Sequence, residues 1–141
     1  MNEKYGEGTV TADVNDRCLV LLYQGQNFAG FFGGDISSGV EERIVEATDL
    51  SGVDFFKASH HGSKYANSDA LLQVLRPSLS VASAGENNRY GHPSRDAIAR
   101  IRDHGSAFYS TIDCGRIRVR IVDGKTQADA YISSEEKTFI Y

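Results

Sequence analysis

No apolar run in this chain approaches the roughly 20 residues that a membrane-spanning helix requires. The longest, Cys18 to Tyr23 and Phe28 to Phe32, are strand-sized. The opening residues Met1-Asn2-Glu3-Lys4-Tyr5-Gly6 lack a basic start followed by an apolar stretch, so neither a signal peptide nor an anchor is expected from them. Cysteine is scarce too. Cys18, in an apolar strand pattern, and Cys114, beside a turn glycine, make neither a disulfide framework nor a thiolate metal site. Both are expected as reduced thiols, with Cys18 buried. There is no internal repeat and no low-complexity segment. The basic surplus of a dedicated nucleic-acid binder is missing as well, since the formal net charge is −4.

What is present suits one domain with a real core: 141 residues, of which 40% are apolar. The charge is unevenly spread, with 7 basic and 3 acidic residues in 57–102 against 3 and 10 in 1–56. A site lined by Lys57, Lys64, Arg89 and Arg95 would favour an anion, although ordinary solvated charges account for the same count.

Strands are expected over Thr9 to Val14, Arg17 to Tyr23 (buried on both faces) and Phe28 to Phe32, the last two joined by a turn at Gln24-Gly25-Gln26-Asn27. Ser38 and Glu41 have capping-box spacing, which predicts a helix from Gly39 to about Ala47. A strand from Val53 to Ala58 then leads to a double histidine. Ser68 caps a helix over Asp69 to Leu75. After a strand at Leu79 to Ala84, Pro93 and Ser94 open a third helix that runs to His104 and stops at Gly105. Ala107 to Ser110, Arg116 to Val122 and Gln127 to Ile132 alternate in the β period, the latter two joined at Asp123-Gly124. Tyr131 to Tyr141 reads either as an edge strand or as a tail. The alternation of helix and strand predicts an α/β layered fold with antiparallel hairpins at both ends.

Three turns carry the candidate chemistry. Asp35 follows Gly33-Gly34 at a strand end, His60 and His61 follow the next strand, and His92 the one after, so all fall on one edge of a sheet. Zinc, manganese and iron sites use such mixed nitrogen and oxygen sets, and a carboxylate can bridge two ions. A pair of ions generates hydroxide at neutral pH and braces a phosphoryl oxygen. Backbone amides around Gly62-Ser63, with the side chains of Ser63 and Lys64, would hold an anion. From the spacing alone a structural cluster is the more expected reading, and a metal site the less. Successive side chains of a strand alternate faces, so only one of His60 and His61 is expected to enter the site unless the chain has left the strand. His104, in a last helical turn, reads as structural. A nucleophilic Ser63 is a poor fit, because it lies in a loop without a strand-turn-helix elbow.

The motifs Asn15-Asp16-Arg17-Cys18-Leu19-Val20-Leu21, Gly34-Asp35-Ile36, His60-His61-Gly62-Ser63-Lys64 and Asn88-Arg89-Tyr90-Gly91-His92-Pro93, taken in order, resemble the C-terminal half of the metallo-β-lactamase-fold domain of ComEC-type DNA-uptake proteins. The resemblance runs from about Thr9 to Val122. It implies that residues 1–141 form half of an αββα sandwich, one mixed β-sheet with flanking helices. It also implies a phosphodiesterase-like or nuclease-like hydrolase with two zinc or manganese ions. Asp35 would bridge the ions, His60 or His61 would bind one of them, and His92 would act on the substrate as hydrogen-bond donor or general acid. Ser63, Lys64 and Arg89 would contact phosphate. The family's first half brings a His-x-His-x-Asp-His motif, and no such motif occurs here. The two-metal site is therefore expected to need a missing N-terminal half-domain or a second copy of the chain, and the chain alone to be inactive. As it stands the chain is expected in the cytoplasm, and membrane-tethered if part of a full-length protein of that type. The alternative is a non-catalytic module binding anions or nucleic acid.

Overall fold

The computed structural model describes residues 14–132 and 135–141. It is α/β. Five strands form one mixed sheet in the order β1(Leu21–Gln24), β2(Ala29–Phe32), β3(Phe55–Lys57), β4(Leu79–Ala82) and β5(Ala107–Ser110). The β1–β2 pair is antiparallel and the other pairs are parallel. Between them run α1(Ser38–Ala47), α2(Asp69–Leu75) and α3(Arg95–Asp103).

Central strands of a parallel sheet are buried on both faces. Here β4 is buried at all four residues. On one face Phe31, Phe56, Ala82 and Phe108 meet Leu71, Leu72 and Leu75 of α2 and Ile101 of α3. Phe31 and Phe56 sit side by side in the register, their rings 6.0 Å apart. Each fully buried phenylalanine contributes roughly 1.5–3 kcal/mol by removal from water.

The expectation of a single sheet holds only as far as Ser110. There the chain turns through a short α4(Thr111–Cys114) and through Gly115, and β6(Arg116–Val122), β7(Lys125–Ile132) and β8(Glu135–Ile140) form a separate antiparallel sheet. It packs on the other face of the first sheet, where Ile117, Val119 and Ala128 meet Phe28, Phe32, Phe55 and Val81. Period-2 alternation tells which residues share a face but not which layer covers it. The edge strand β1 stays exposed: Leu21 and Tyr23 are half in solvent, not buried on both faces. Of the strand expected at Thr9 to Val14, all but Val14 lies outside the described residues. Val14–Arg17 is a 3-10 turn.

The outer face of the closing sheet is organised by Asp129, whose side chain is fully buried. It accepts hydrogen bonds from Arg120 (2.7 and 2.9 Å), Thr138 (2.8 Å) and Arg118 (3.1 Å). Arg120 first, then Thr138 and Arg118, hold its carboxyl far below the usual carboxylate range against the opposing effect of burial. A carboxyl so depressed stabilises the fold above its unfolded pKa, about 3.9, and that contribution is lost as pH falls through the folded value. Asp129→Asn is therefore expected to lower the melting temperature at pH 7 and to flatten the fall in stability between neutral and strongly acidic pH. Thermal melts across that range check it.

Candidate functional site

The parallel register places the ends of β2, β3 and β4 along one edge of the sheet, where open α/β sheets build their sites. The turns that follow are laced together by backbone hydrogen bonds. His60 N–H donates to Gly34 O (2.8 Å) and Ser94 N–H to Gly62 O (2.9 Å), tying the aspartate turn to the histidine turn and that turn to the third. Two glycines make the close approach possible. Gly34 has φ +60°, and a Cβ there would lie 2.6 Å from Cys18 Sγ; at Gly62, φ +83°, it would lie 2.6 Å from Pro93 Cβ. Cys18 is only half-buried and outside any strand, and its sulfur accepts the Asp35 N–H at 3.1 Å. The thiol read as core is in fact part of the aspartate turn.

His60 and His61 have left the strand. Both are left-handed, with φ 48° and 54°, a conformation that costs a non-glycine residue roughly 1–2 kcal/mol. Such strain persists only where surroundings over-determine it. Here His60 is tied at its own N–H and at its carbonyl, which accepts from Ser63 N–H, and the ring of His61 is tied at Nδ1. Since the strand's alternation no longer applies, both imidazoles border one cleft of about 260 Å³ with Asn15, Asp35, Tyr90 and His92.

The His61 ring is fixed by a 2.7 Å contact between Nδ1 and Ser83 O. A carbonyl only accepts, so Nδ1 carries the proton. Nε2 then faces Asp35 Oδ1 at 3.4 Å, with both side chains nearly half exposed. In a neutral imidazole this sets a nitrogen lone pair against a carboxylate oxygen, an arrangement that calls for a cation or a proton between them. Two ligands at about 2.0–2.2 Å from a tetrahedral zinc ion stand about 3.4 Å apart. Orientation of a ligand histidine through its other nitrogen is the usual supporting arrangement of metal sites. Asp35 and His61 thus fit two neighbouring positions around an ion. Among the described residues, no group of three or more histidine, cysteine, aspartate or glutamate side chains is arranged to hold one.

His92 comes from the third turn, at a cis peptide to Pro93. Asn88 brackets its backbone, accepting from His92 N–H (2.9 Å) and donating to His92 O (2.6 Å). Its ring lies edge-on to His60, with centroids 5.5 Å apart, and stacks on Tyr90 at 5.8 Å. Nδ1 is buried without a hydrogen-bond partner. Burial pushes the His92 pKa down, helped by His60 and His61 and opposed by Asp35, which favours the uncharged ring. Lys57, the last residue of β3, is also lowered by burial, with Asp35 nearby working in the opposite direction.

The other candidates lie around the rim. Lys64 and Arg89 are exposed, each over the ring of the tyrosine that follows it, at 4.9 and 4.7 Å. Ser63 is buried, its Oγ accepting from Tyr65 N–H at 3.2 Å. His104 stands apart from the cleft, with Nε2 3.0 Å from Asp69 Oδ1.

Sequence reasoning missed what holds the histidine turn. Glu41, read as half of a capping box, is fully buried and accepts from Asn67 N–H (2.8 Å) and Ser68 N–H (2.7 Å). The Ser38 hydroxyl instead donates to Tyr65 O, and the cap position of α1 is Ser37, whose N–H donates to Asp16 Oδ1. Asn67 in turn donates to Ser59 O and Ser63 O, while Arg100 of α3 donates to the carbonyls of Lys64, Ala66 and Asn67. No local sequence signal marks this role, because the partners of Glu41 lie 26 and 27 residues along the chain.

The fold and rim define an α/β chain with a carboxylate and imidazole cluster at the carboxyl edge of a mixed sheet. Similar proteins are known by sequence. The chain is 29% identical over 109 residues to ComE operon protein 3 of Bacillus subtilis (strain 168), covering 77% of this chain and 14% of that protein. It is 28% identical over 116 residues to Recombination protein 2 of Haemophilus influenzae, covering 82% and 14%. It is also 28% identical over 120 residues to Competence protein ComA of Neisseria gonorrhoeae, covering 82% and 17%. The chain thus spans about a seventh of the length of the curated relatives it matches. No protein-family model and no solved structure matches it. Among the described residues, no helix is long and apolar enough to cross a membrane.

Proposed function

We infer that this chain is half of a metal-dependent phosphodiesterase-like hydrolase domain acting in competence, the setting printed in one relative's name, and in the DNA uptake that the resemblance implies. The pairing of His61 Nε2 with Asp35 Oδ1 at 3.4 Å carries the reading. A mixed sheet with helices on one face agrees with half of a metallo-β-lactamase-type sandwich.

In this reading Asp35 and His61 hold zinc or manganese at one edge, with His60 beside them. The bound metal supplies hydroxide at neutral pH and charge stabilisation at phosphorus. His92, on the same cleft, would offer a ring N–H to a phosphoryl oxygen. Lys57, Lys64 and Arg89 set a positive field for the anionic substrate. The remaining ligands come from a second segment, a preceding half-domain or another chain, because two side chains do not complete a coordination sphere.

The test is reconstitution. Mixed with a segment carrying a His-x-His-x-Asp-His motif from a competence relative, the chain is expected to gain manganese- or zinc-dependent cleavage of a labelled oligonucleotide. A folded complex that cleaves nothing counts against the reading.

A further inference from the structure

Two large aromatic side chains stand exposed at the rim of the cleft, Tyr65 at 70% and Tyr90 at 65%. They come from different turns, one after the double histidine and one before His92. Together with Asn15, His60, Ser63, Lys64 and His92 they line a cleft of about 320 Å³. That cleft shares Asn15, His60, Tyr90 and His92 with the one holding Asp35 and His61. Tyr90 therefore borders both.

Neither ring sits on a loose backbone. Tyr65 N–H donates to Ser63 Oγ, and its carbonyl accepts both the N–H (2.9 Å) and the hydroxyl (2.9 Å) of Ser38. Tyr90 lies inside the stretch that Asn88 closes onto His92. Each tyrosine also carries a cation from its neighbour, Lys64 or Arg89. His92 lies nearly parallel to Tyr90, at an interplanar angle of 19°, and Arg89 borders the same ring, which nonetheless stays 65% exposed. At 70% and 65% exposure both rings keep open surface on which a planar group can lie. A cation at each ring is what an anion linked to that planar group would meet.

We propose that Tyr65 and Tyr90 are the base-stacking positions of a subsite for single-stranded nucleic acid, with Lys64 and Arg89 taking the intervening phosphates. Aromatic rings interleaved with cations are how proteins hold single strands without reading sequence. The subsite rests on reading the adjoining Asp35–His61 edge as a phosphodiester site, and it selects among phosphodiesters: bases must be present and unpaired. A small phosphodiester, or a duplex whose bases are stacked inside, gains nothing from the two rings.

The experiment is fluorescence anisotropy of this chain with labelled oligothymidylate, and with an abasic strand of the same length, in EDTA so that nothing is cleaved. The base-bearing strand is expected to bind tighter. Tyr65→Ala and Tyr90→Ala are each expected to weaken it on the order of 5- to 100-fold without changing abasic binding, while the phenylalanine variants keep the affinity. Tyr23→Ala, on the exposed edge strand, serves as the control and leaves binding unchanged. Equal affinity for both strands, or alanine variants that bind like the parent while circular dichroism shows them folded, overturns the subsite. Because the readout uses neither metal nor a partner segment, a failed reconstitution with intact base preference overturns only the hydrolase reading.

Discussion

Glu41→Ala is expected to cost about 3–5 kcal/mol and to loosen the double-histidine turn. The substitution strands two buried backbone N–H groups, those of Asn67 and Ser68, which now donate to the carboxylate at 2.8 and 2.7 Å. A buried donor left without a partner costs roughly 1–3 kcal/mol, and bonds to a charged acceptor are the stronger kind. For a domain whose whole stability is about 5–15 kcal/mol, that is a large fraction. The damage spreads because Asn67 also carries the carbonyls of Ser59 and Ser63 on either side of the histidines. Glu41→Gln keeps one acceptor but turns an amide donor toward the second N–H, so it is expected to fall between the parent and Glu41→Ala. Urea denaturation measures both. A loss below about 1 kcal/mol for the alanine variant, near the roughly 0.5 kcal/mol range of an ordinary surface change, contradicts the support assigned to Glu41.

In the reconstituted domain, Asp35→Ala is expected to abolish cleavage, a fall on the order of 10³-fold or more, as when a group acting in concert with the rest of a site is removed. Asp35 supplies the only carboxylate in its cleft among the described lining residues. The fold should survive, since the side chain is nearly half exposed and its N–H bond to Cys18 belongs to the backbone. Activity retained within tenfold, measured by initial rates on the labelled oligonucleotide, removes Asp35 from the chemistry. Loss of the fold in the circular dichroism spectrum would place it in the scaffold instead.

The sequence foretold most where a local rule applies. Ser68 and Ser94 cap their helices, Gly105 ends α3, and Asp123-Gly124 closes the β6–β7 hairpin with both residues at positive φ. Such features depend on a few neighbouring residues. Glu41 was misread because its partners lie 26 and 27 residues away, while the serine three positions earlier offered a local alternative. Cys18 was misplaced because an apolar run looks the same whether its start pairs as strand or turns to meet Gly34. The separate closing sheet was hidden because alternation fixes faces, not layers. Both histidines border the cleft only because residues 60 and 61 adopt a left-handed conformation that no composition rule assigns to histidine. That the three turns share an edge was legible from the order of strands and helices. The distance between His61 and Asp35 was not, being set by Gly34 O and Ser83 O, which are backbone atoms of other segments.

The most direct measurement is a calorimetric zinc titration of this chain, alone and together with the histidine-bearing segment. We expect weak, substoichiometric uptake by the chain alone and tight uptake by the complex, the latter reduced in Asp35→Ala and in His61→Ala but unchanged in His104→Ala. A complex that forms and stays folded yet takes up no more zinc than the chain alone, or that takes it up equally in all three variants, contradicts the account.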